Sequence, residues 1–482
     1  MALTAACSTV DKELLAGQLE DPPAAWTAQS EFGAEPVRDW VAAFEDDALD
    51  ALIEEAIAQN NDLLRFASDL DRANALAAAA LGARLPTLNG SFNSSRSAIV
   101  ANPAVAAQSG NAQGQADGDA ASVEAGGGST GRLYINDFSL GGQLGWEVDV
   151  WRRLRDSHKA AINDALAAEA NYYGARLSIA GRVAQAWFSL IETRQQRELA
   201  TRDVDARTSS LAVTERRYQR GLSSSLDLRL SRSALANSQA ALAQAKQLES
   251  EAARLLEVLL GRYPAAEIEA AASLPALPSL EGAGAPSDLL VRRPDILAAE
   301  ARMEAAGLRA RVARKELLPQ ITLTTQVSTS GPNIADLIDP ERLAGSIAAG
   351  LTQPIFAGGR LLANARGARA SAQAAVFDYA QIVLTAFEEA ETALAAEDFL
   401  ADREAALKVA FEEAAAAEKL TERRYASGAA SIFNLLDAQT RRISNESQYI
   451  AAQRQRVANR VQLYLAIGGD FRSETPVAAL ES

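Results

Sequence analysis

A nucleophilic hydrolase needs an imidazole within reach of a serine or cysteine, and this chain offers one histidine, His158, and one cysteine, Cys7. His158 lies in the charged run Arg152 to Lys159, where it reads as a solvated helix residue rather than a general base. With two methionines besides (Met1 and Met303), the chain cannot build a multi-histidine zinc site, a disulfide framework or a soft-ligand ladder for copper or silver. The densest carboxylates, Glu388, Glu389 and Glu391, fall in a helical pattern and read as the outer face of a coiled-coil helix rather than an acid/base pair. The expectation is therefore no enzyme, no metal and no cofactor.

Composition narrows the remaining classes. The 482 residues carry 47 Lys and Arg against 62 Asp and Glu, a formal charge of −15, so no nucleic-acid partner is expected. Hydrophobic residues make up 48% but aromatics only 6%, so alanine must supply much of the apolar content, which suits closely packed helices. The longest apolar run, Ala73 to Ala83, contains Asn74 and lies between Arg72 and Arg84, short of the roughly 18 residues of a membrane helix. Barrel strands alternate faces and leave no such run, so a membrane barrel stays open.

The sequence is duplicated. Thr214-Glu215-Arg216-Arg217-Tyr218 recurs as Thr421-Glu422-Arg423-Arg424-Tyr425, an offset of 207, and Gly221 and Gly428 each follow the tyrosine by three. The same offset carries Leu144 onto Leu351, Arg153-Leu154 onto Arg360-Leu361 and Leu260-Gly261 onto Ile467-Gly468. Upstream, Leu85-Pro86 matches Leu318-Pro319 at an offset of 233, so the first copy is longer between Pro86 and Leu144. That stretch holds Ala101 to Gly131, rich in Ala, Gly, Asn, Gln and Ser, and reads as a long polar loop.

Each copy reads as a helix, two strands and two long helices. The first spans 46–263, with strands about 86–96 and 132–148 and a helical hairpin over 151–262; the second spans 289–470, with strands about 320–329 and 343–355 and a hairpin over 358–467. An extended segment (8–45) precedes them, a Pro- and Gly-containing linker (264–288) joins them, and a tail (471–482) follows. Ile321, Leu323, Thr325 and Val327 alternate with Thr322, Thr324, Gln326 and Ser328, and Phe138, Leu140, Gly142, Leu144 and Trp146 alternate with Ser139, Gly141, Gln143 and Gly145. Both are strands with one apolar face and one small polar face. After the strands the period changes: Leu177, Ala180, Ala184, Trp187 and Ile191, and again Val376, Ala380, Val383, Phe387, Ala390 and Leu394, step by three and four like a coiled-coil seam. No proline interrupts Arg152 to Gln219, which predicts a helix roughly 100 Å long at 1.5 Å per residue.

Each hairpin turns at Arg-Tyr-x-x-Gly, with basic residues in the last helical turn, a glycine free to take the left-handed cap, and serines (Ser223 to Ser225, or Ser431) to cap the returning helix. The repeated tip residues Arg217, Tyr218, Gly221, Arg424, Tyr425 and Gly428 have two readings, helix termination and partner docking. Four amphipathic strands cannot close a barrel, which needs about eight. Three copies would supply about twelve, with polar faces lining a lumen. The rival without a pore is a coiled-coil adaptor, which accounts for the helices but not for the two-faced strands.

Several motifs in order resemble the TolC-type outer-membrane efflux channels, most closely their lipoprotein branch. They are Arg292-Arg293-Pro294-Asp295-Ile296, Trp146-Glu147-Val148-Asp149-Val150-Trp151, Gln353-Pro354-Ile355-Phe356-Ala357-Gly358-Gly359-Arg360, and Arg424-Tyr425-x-x-Gly428 followed by Leu435-Leu436-Asp437-Ala438-Gln439. One departure is Arg152 after Trp151, where the branch often has glycine; the second copy keeps Gly358-Gly359. The resemblance implies a mainly α fold with a small β part: a homotrimer with a twelve-stranded outer-membrane β-barrel on a periplasmic α-helical barrel. It implies a passive exit duct for small molecules such as drugs, reached by an inner-membrane resistance-nodulation-division pump through a periplasmic adaptor. A duct of a type I protein secretion system is the alternative. A passive duct needs no metal ligands of its own, so metal export is not excluded.

Two further sites follow. Thr4-Ala5-Ala6 before Cys7 resembles the end of a bacterial lipoprotein signal, although Leu3 stands four residues before the cysteine instead of three. Residues 1–7 read as its remnant and Cys7 as the lipid-bearing residue, against the plain alternative of an unpaired cysteine in a tail. Phe433, Asn434 and Asp437 share one helical face just after the second tip. By resemblance, Asp437 matches the acidic residue of the family's periplasmic constriction, with Asp227 near the first tip as a second polar contributor.

Overall fold

The computed structural model describes residues 17, 22–23, 25–28, 40–101, 122–123, 131–278 and 284–469. Cys7, most of the 8–45 segment, most of the loop between Ala101 and Gly131, and the 471–482 tail lie outside them. Contacts divide the chain into two compact units, and the division does not follow the duplication. One comprises 74–162 and 305–372 and holds every strand among the described residues; the other comprises 1–73, 163–304 and 373–482 and holds most of their helical residues. Each unit thus takes segments from both sequence copies.

In chain order the elements are α1 (Asp47–Gln59), α2 (Asn61–Gly82), β1 (Thr87–Ala101), β2 (Ser122–Val123), β3 (Gly131–Glu147), α3 (Arg153–Gln219), α4 (Ser225–Leu259), α5 (Leu289–Arg292), α6 (Pro294–Lys315), β4 (Gln320–Gly331), β5 (Ala344–Thr352), α7 (Arg360–Ala426) and α8 (Ile432–Ala466), with short 3-10 turns between some of them. Among the described residues no helix is long and apolar enough to cross a membrane.

The strand unit is one antiparallel sheet in the order β1-β3-β4-β5, with the two-residue β2 also on β3. Pro86 and Pro319 stop the preceding helices and release the chain into β1 and β4. β1 runs past residue 96, where the alternation weakens, because β3 continues to pair with it through Ala98↔Tyr134 to Ala101↔Gly131. β2 is a short strand inside the stretch read as loop. β5 ends at Thr352, before 355, since Pro354 cannot donate to a ladder.

The helical unit reproduces the duplication residue for residue. α3 and α7 have 67 residues each, α4 and α8 have 35 each, and every boundary is displaced by the same 207 positions. The three-four seams are its core: Leu177, Ala180, Ala184, Trp187 and Ile191 on α3 and Val376, Ala380, Val383, Ala390 and Leu394 on α7 are all buried, with Phe387 partly so. Trp40 stacks on Tyr464 at 6.1 Å between ring centroids, and Phe44 meets Phe188 at 5.4 Å. Trp187 Nε1 donates to Asp46 Oδ2 at 2.9 Å, while the other oxygen of that carboxylate caps α1.

The carboxylates read as a solvated face have structural partners instead, apart from the exposed Glu388. Glu391 accepts the backbone N–H groups of Thr27 and Ala28 at 2.7 and 2.8 Å, pinning a distant N-terminal segment to α7. Glu389 pairs with Arg293 at 2.7 Å. Arg293 is buried and also holds Asp295 and the Ala466 carbonyl. Burial works against its charge, and the two carboxylates outweigh it, raising its pKa. The Arg-Arg-Pro-Asp motif is therefore a clamp joining the start of α6 to α7 and the end of α8. His158 is likewise half-buried rather than solvated, with Nδ1 3.4 Å from the Arg84 guanidinium; burial, then that charge, lowers its pKa and keeps it neutral.

Arg152 adopts φ 58°, the left-handed region, and its repeat counterpart Gly359 adopts φ 79°. A left-handed residue thus recurs at this one position of the turn in both copies although only one has the glycine there, whereas Gly358 (φ 60°) is left-handed and its counterpart Trp151 is not. A non-glycine residue there bears about 1–2 kcal/mol of strain, while glycine adds about 0.5–1 kcal/mol of chain entropy to lose. Arg152→Gly is expected to raise the denaturation midpoint slightly and Arg152→Val to lower it; equal midpoints for the two variants would contradict the assignment.

Candidate functional site

The two helical tips are built alike. Leu222 N–H donates to Arg217 O and Gly221 N–H to Tyr218 O at 2.8 and 2.9 Å, and Ala429 and Gly428 repeat the pair onto Arg424 and Tyr425 at 2.8 and 3.0 Å. These bonds satisfy the carbonyls of the last helical turn. Gly221 and Gly428 have φ of 72° and 80°, the conformation that the spacing of the motif requires. On the returning side, Ser224 and Asp227 form a reciprocal capping box: Asp227 N–H donates to Ser224 Oγ, and Asp227 Oδ2 accepts Ser224 N–H. Asp227 therefore has a local structural task. Its counterpart Asn434 donates its N–H to Ser431 Oγ at 3.4 Å, without the charged return bond.

Identical pentapeptides meet different surroundings at the tips. Tyr425 is buried, 4% exposed, whereas Tyr218 is 44% exposed. The Tyr425 hydroxyl lies 2.8 Å from Thr214 Oγ1, and Ser231 Oγ donates to the same threonine oxygen at 3.3 Å. Arg217 Nη1 donates to the Tyr425 carbonyl at 2.6 Å, and its guanidinium lies 5.1 Å from the centre of that ring. Such a contact combines a charge-assisted hydrogen bond with cation–π attraction. Of the six repeated tip residues, Arg217 and Tyr425 thus join the first hairpin to the second, while Tyr218 and Arg424 stay exposed beside the two glycine turns.

Phe433, Asn434 and Asp437 are all exposed on one side of the first turns of α8, whereas Ile432 and Leu435 on the opposite side are buried against Tyr425. Arg441, one turn further on, donates Nε–H to Asp437 Oδ2 at 2.8 Å, and this hydrogen bond raises the arginine pKa. Arg441 escaped the sequence reading, although its i,i+4 spacing from Asp437 was a readable signal. The first hairpin carries Leu230 and Ala234 at the matching positions, so only the second copy presents this ion pair.

The sheet supplies a second functional surface. Its register places Asn89, Gln143, Gln326 and Ser346 side by side across all four long strands, and neighbouring rows on that face hold Ser91, Gly141, Ser328 and Ala344. The other face aligns Leu88 with Leu144, Phe92 with Leu140, Trp146 with Leu323 and Ile321 with Leu351. Leu88, Phe92, Ile347 and Leu351 on that face are exposed. An exposed apolar face this large marks contact with another protein or a membrane. Trp146 and Trp151 bind the carbonyls of Arg84 and Pro319 by their indole N–H groups, leaving apolar ring surface exposed at one end of the strands. Among the described residues no group of three His, Cys, Asp or Glu side chains could hold a metal.

The family described as outer membrane efflux protein matches residues 52–262 and 285–469. Over 476 residues the chain is 31% identical to the outer membrane protein OprJ of Pseudomonas aeruginosa, covering 98% of this chain and 95% of OprJ. It is 29% identical to the pyoverdine export outer membrane protein OpmQ of Pseudomonas putida, over 94% and 93% of the two. Among solved structures, the outer membrane protein VceC of Vibrio cholerae superposes with a TM-score of 0.78 at 25% identity, covering 91% of this chain and all of VceC.

Replacing both tip glycines by valine forces a β-branched residue into positive φ, at about 1–3 kcal/mol per site. Hydrogen exchange of the amides at 217–224 and 424–431 is expected to accelerate at least tenfold in Gly221→Val/Gly428→Val, with the cores of α3 and α7 unchanged. Wild-type protection at the tips would contradict the cap geometry.

Proposed function

The chain belongs to the outer membrane efflux protein family, and from that premise we propose how this member conducts its cargo. It is an outer-membrane efflux channel and mostly helical. Three copies close their sheets into one barrel of about twelve strands, with the Leu88–Leu144 face toward lipid and the Asn89–Gln143–Gln326 face toward a water-filled lumen. The long hairpins form the periplasmic part of the channel, where a periplasmic adaptor and an inner-membrane resistance-nodulation-division pump deliver small molecules. The observation that carries this reading is the polar row running unbroken over four strands whose opposite face is apolar and exposed.

In this trimer the α8 face bearing Phe433, Asn434 and Asp437 repeats three times around the periplasmic mouth. Three carboxylates brought together repel one another, and Arg441 on the same helix supplies the counter-charge that lets them approach. A twist of the hairpins that separates these pairs opens the mouth, a two-state element driven by the adaptor. Asn434 in place of an acid keeps the ring less charged. The docking surface for the adaptor is the pair of glycine turns. Cys7, outside the described residues, carries the lipid, and acyl chains contribute about 0.8 kcal/mol per buried methylene to a tether that supplements the barrel.

Phe433→Ala combined with Asp437→Ala is expected to raise single-channel conductance severalfold and to let large antibiotics into cells. Wild-type conductance and uptake with trimers intact would remove Asp437 from the gate. Mass spectrometry of the protein from its native host is expected to find the peptide that begins at Cys7 acylated; an unmodified peptide spanning Cys7 would remove the anchor.

A further inference from the structure

The tip contact within one chain is half of a pattern that the duplication writes twice. Arg217 of the first hairpin clasps Tyr425 of the second, and the Tyr425 hydroxyl reaches Thr214. Adding and subtracting the repeat offset turns this trio into Arg424, Tyr218 and Thr421, and all three residue types are conserved between the copies. Thr421 already repeats the internal bond of its counterpart, donating Oγ1–H to Ala417 O as Thr214 donates to Ser210 O. The second trio is nevertheless unassembled in a single chain. Arg424 is exposed, Tyr218 is 44% exposed, and neither side chain meets a partner among the described residues. Higher on the same helices the contrast recurs, with Leu177 buried at 6% and its counterpart Leu384 exposed at 52%.

We infer that Tyr218 of one copy docks against Arg424 and Thr421 of a neighbouring copy, reproducing between chains the contact that Arg217, Tyr425 and Thr214 make within one. The occupant is a second copy of this chain because both halves of the contact lie on the same sequence and complement each other head to tail. A head-to-tail contact closes into a ring when its rotation divides a full turn. In a ring of three copies the tip seam is then one contact repeated, half of its instances inside chains and half between them. Tyr218 and Arg424 are in consequence seam residues, and docking of an adaptor is left to the glycine turns themselves. The proposal rests on the trimeric reading above, and its test separates the two.

The test places p-benzoylphenylalanine at Tyr218 in the full chain, co-assembled from isotopically heavy and light copies in membranes. Ultraviolet light is expected to give covalent dimers and trimers, with mixed heavy–light cross-linked peptides that map to the last turn of α7, around Thr421 and Arg424. Arg424→Ala is expected to lower that yield at least fivefold, whereas Tyr425→Phe leaves it within twofold. Trimers by native mass with cross-links only inside one chain, only to another protein, or to none overturn the seam while leaving the pore reading in place. Monomers by native mass overturn both.

Discussion

Among the described residues the backbone of β1 and β5 is hydrogen-bonded on one side only, and a membrane has no water with which to satisfy the other side. Four long strands are too few to curl shut, so the trimer we propose has to pair the free edges of different copies. The rest of the design follows from that requirement. The strands have 15, 17, 12 and 9 residues, close to or beyond the roughly 9–11 that cross a bilayer. From Thr87 to Ser95 of β1 and along the β3, β4 and β5 residues in register with it, the large apolar residues keep to one face, so the proposed closure gives a lumen lined there by Asn, Gln, Ser and Thr.

The duplication gives the assembly its economy and its asymmetry. Two hairpins of equal length present two equivalent tips, yet only the second bears the Asp437–Arg441 pair. The first bears the full Ser224–Asp227 cap, which fixes the start of its helix. In the gate we propose, the first hairpin contributes the capped tip and the second the electrostatic ring, although their helix boundaries match residue for residue. The compact units cut across the repeats because strands from both copies must share one sheet and helices from both copies one core.

Much of this was legible in the sequence because it is periodic or local. Alternation in β3 and β4, the three-four seams of α3 and α7, the glycine turns and the serine caps are all set by residues near one another in the chain. What escaped was non-local. Thr-Glu-Arg-Arg-Tyr occurs twice with one tyrosine buried and the other exposed, so no local reading separates Tyr425 from Tyr218; the difference lies in Arg217 and Thr214, more than two hundred positions away. Glu389 and Glu391 read as surface acids because their partners, Arg293 and the backbone at Thr27, come from other segments. Arg152 hid a left-handed turn that its counterpart Gly359 reveals only once the copies are aligned.

The central claim is that this four-stranded sheet becomes a water-filled pore when several copies join their edges. Recording the purified full chain in planar lipid bilayers tests it most directly. The account predicts discrete, long-lived conductance steps from trimeric protein. Trimers that insert into the bilayer and give no steps would contradict it and leave a helical scaffold without a channel.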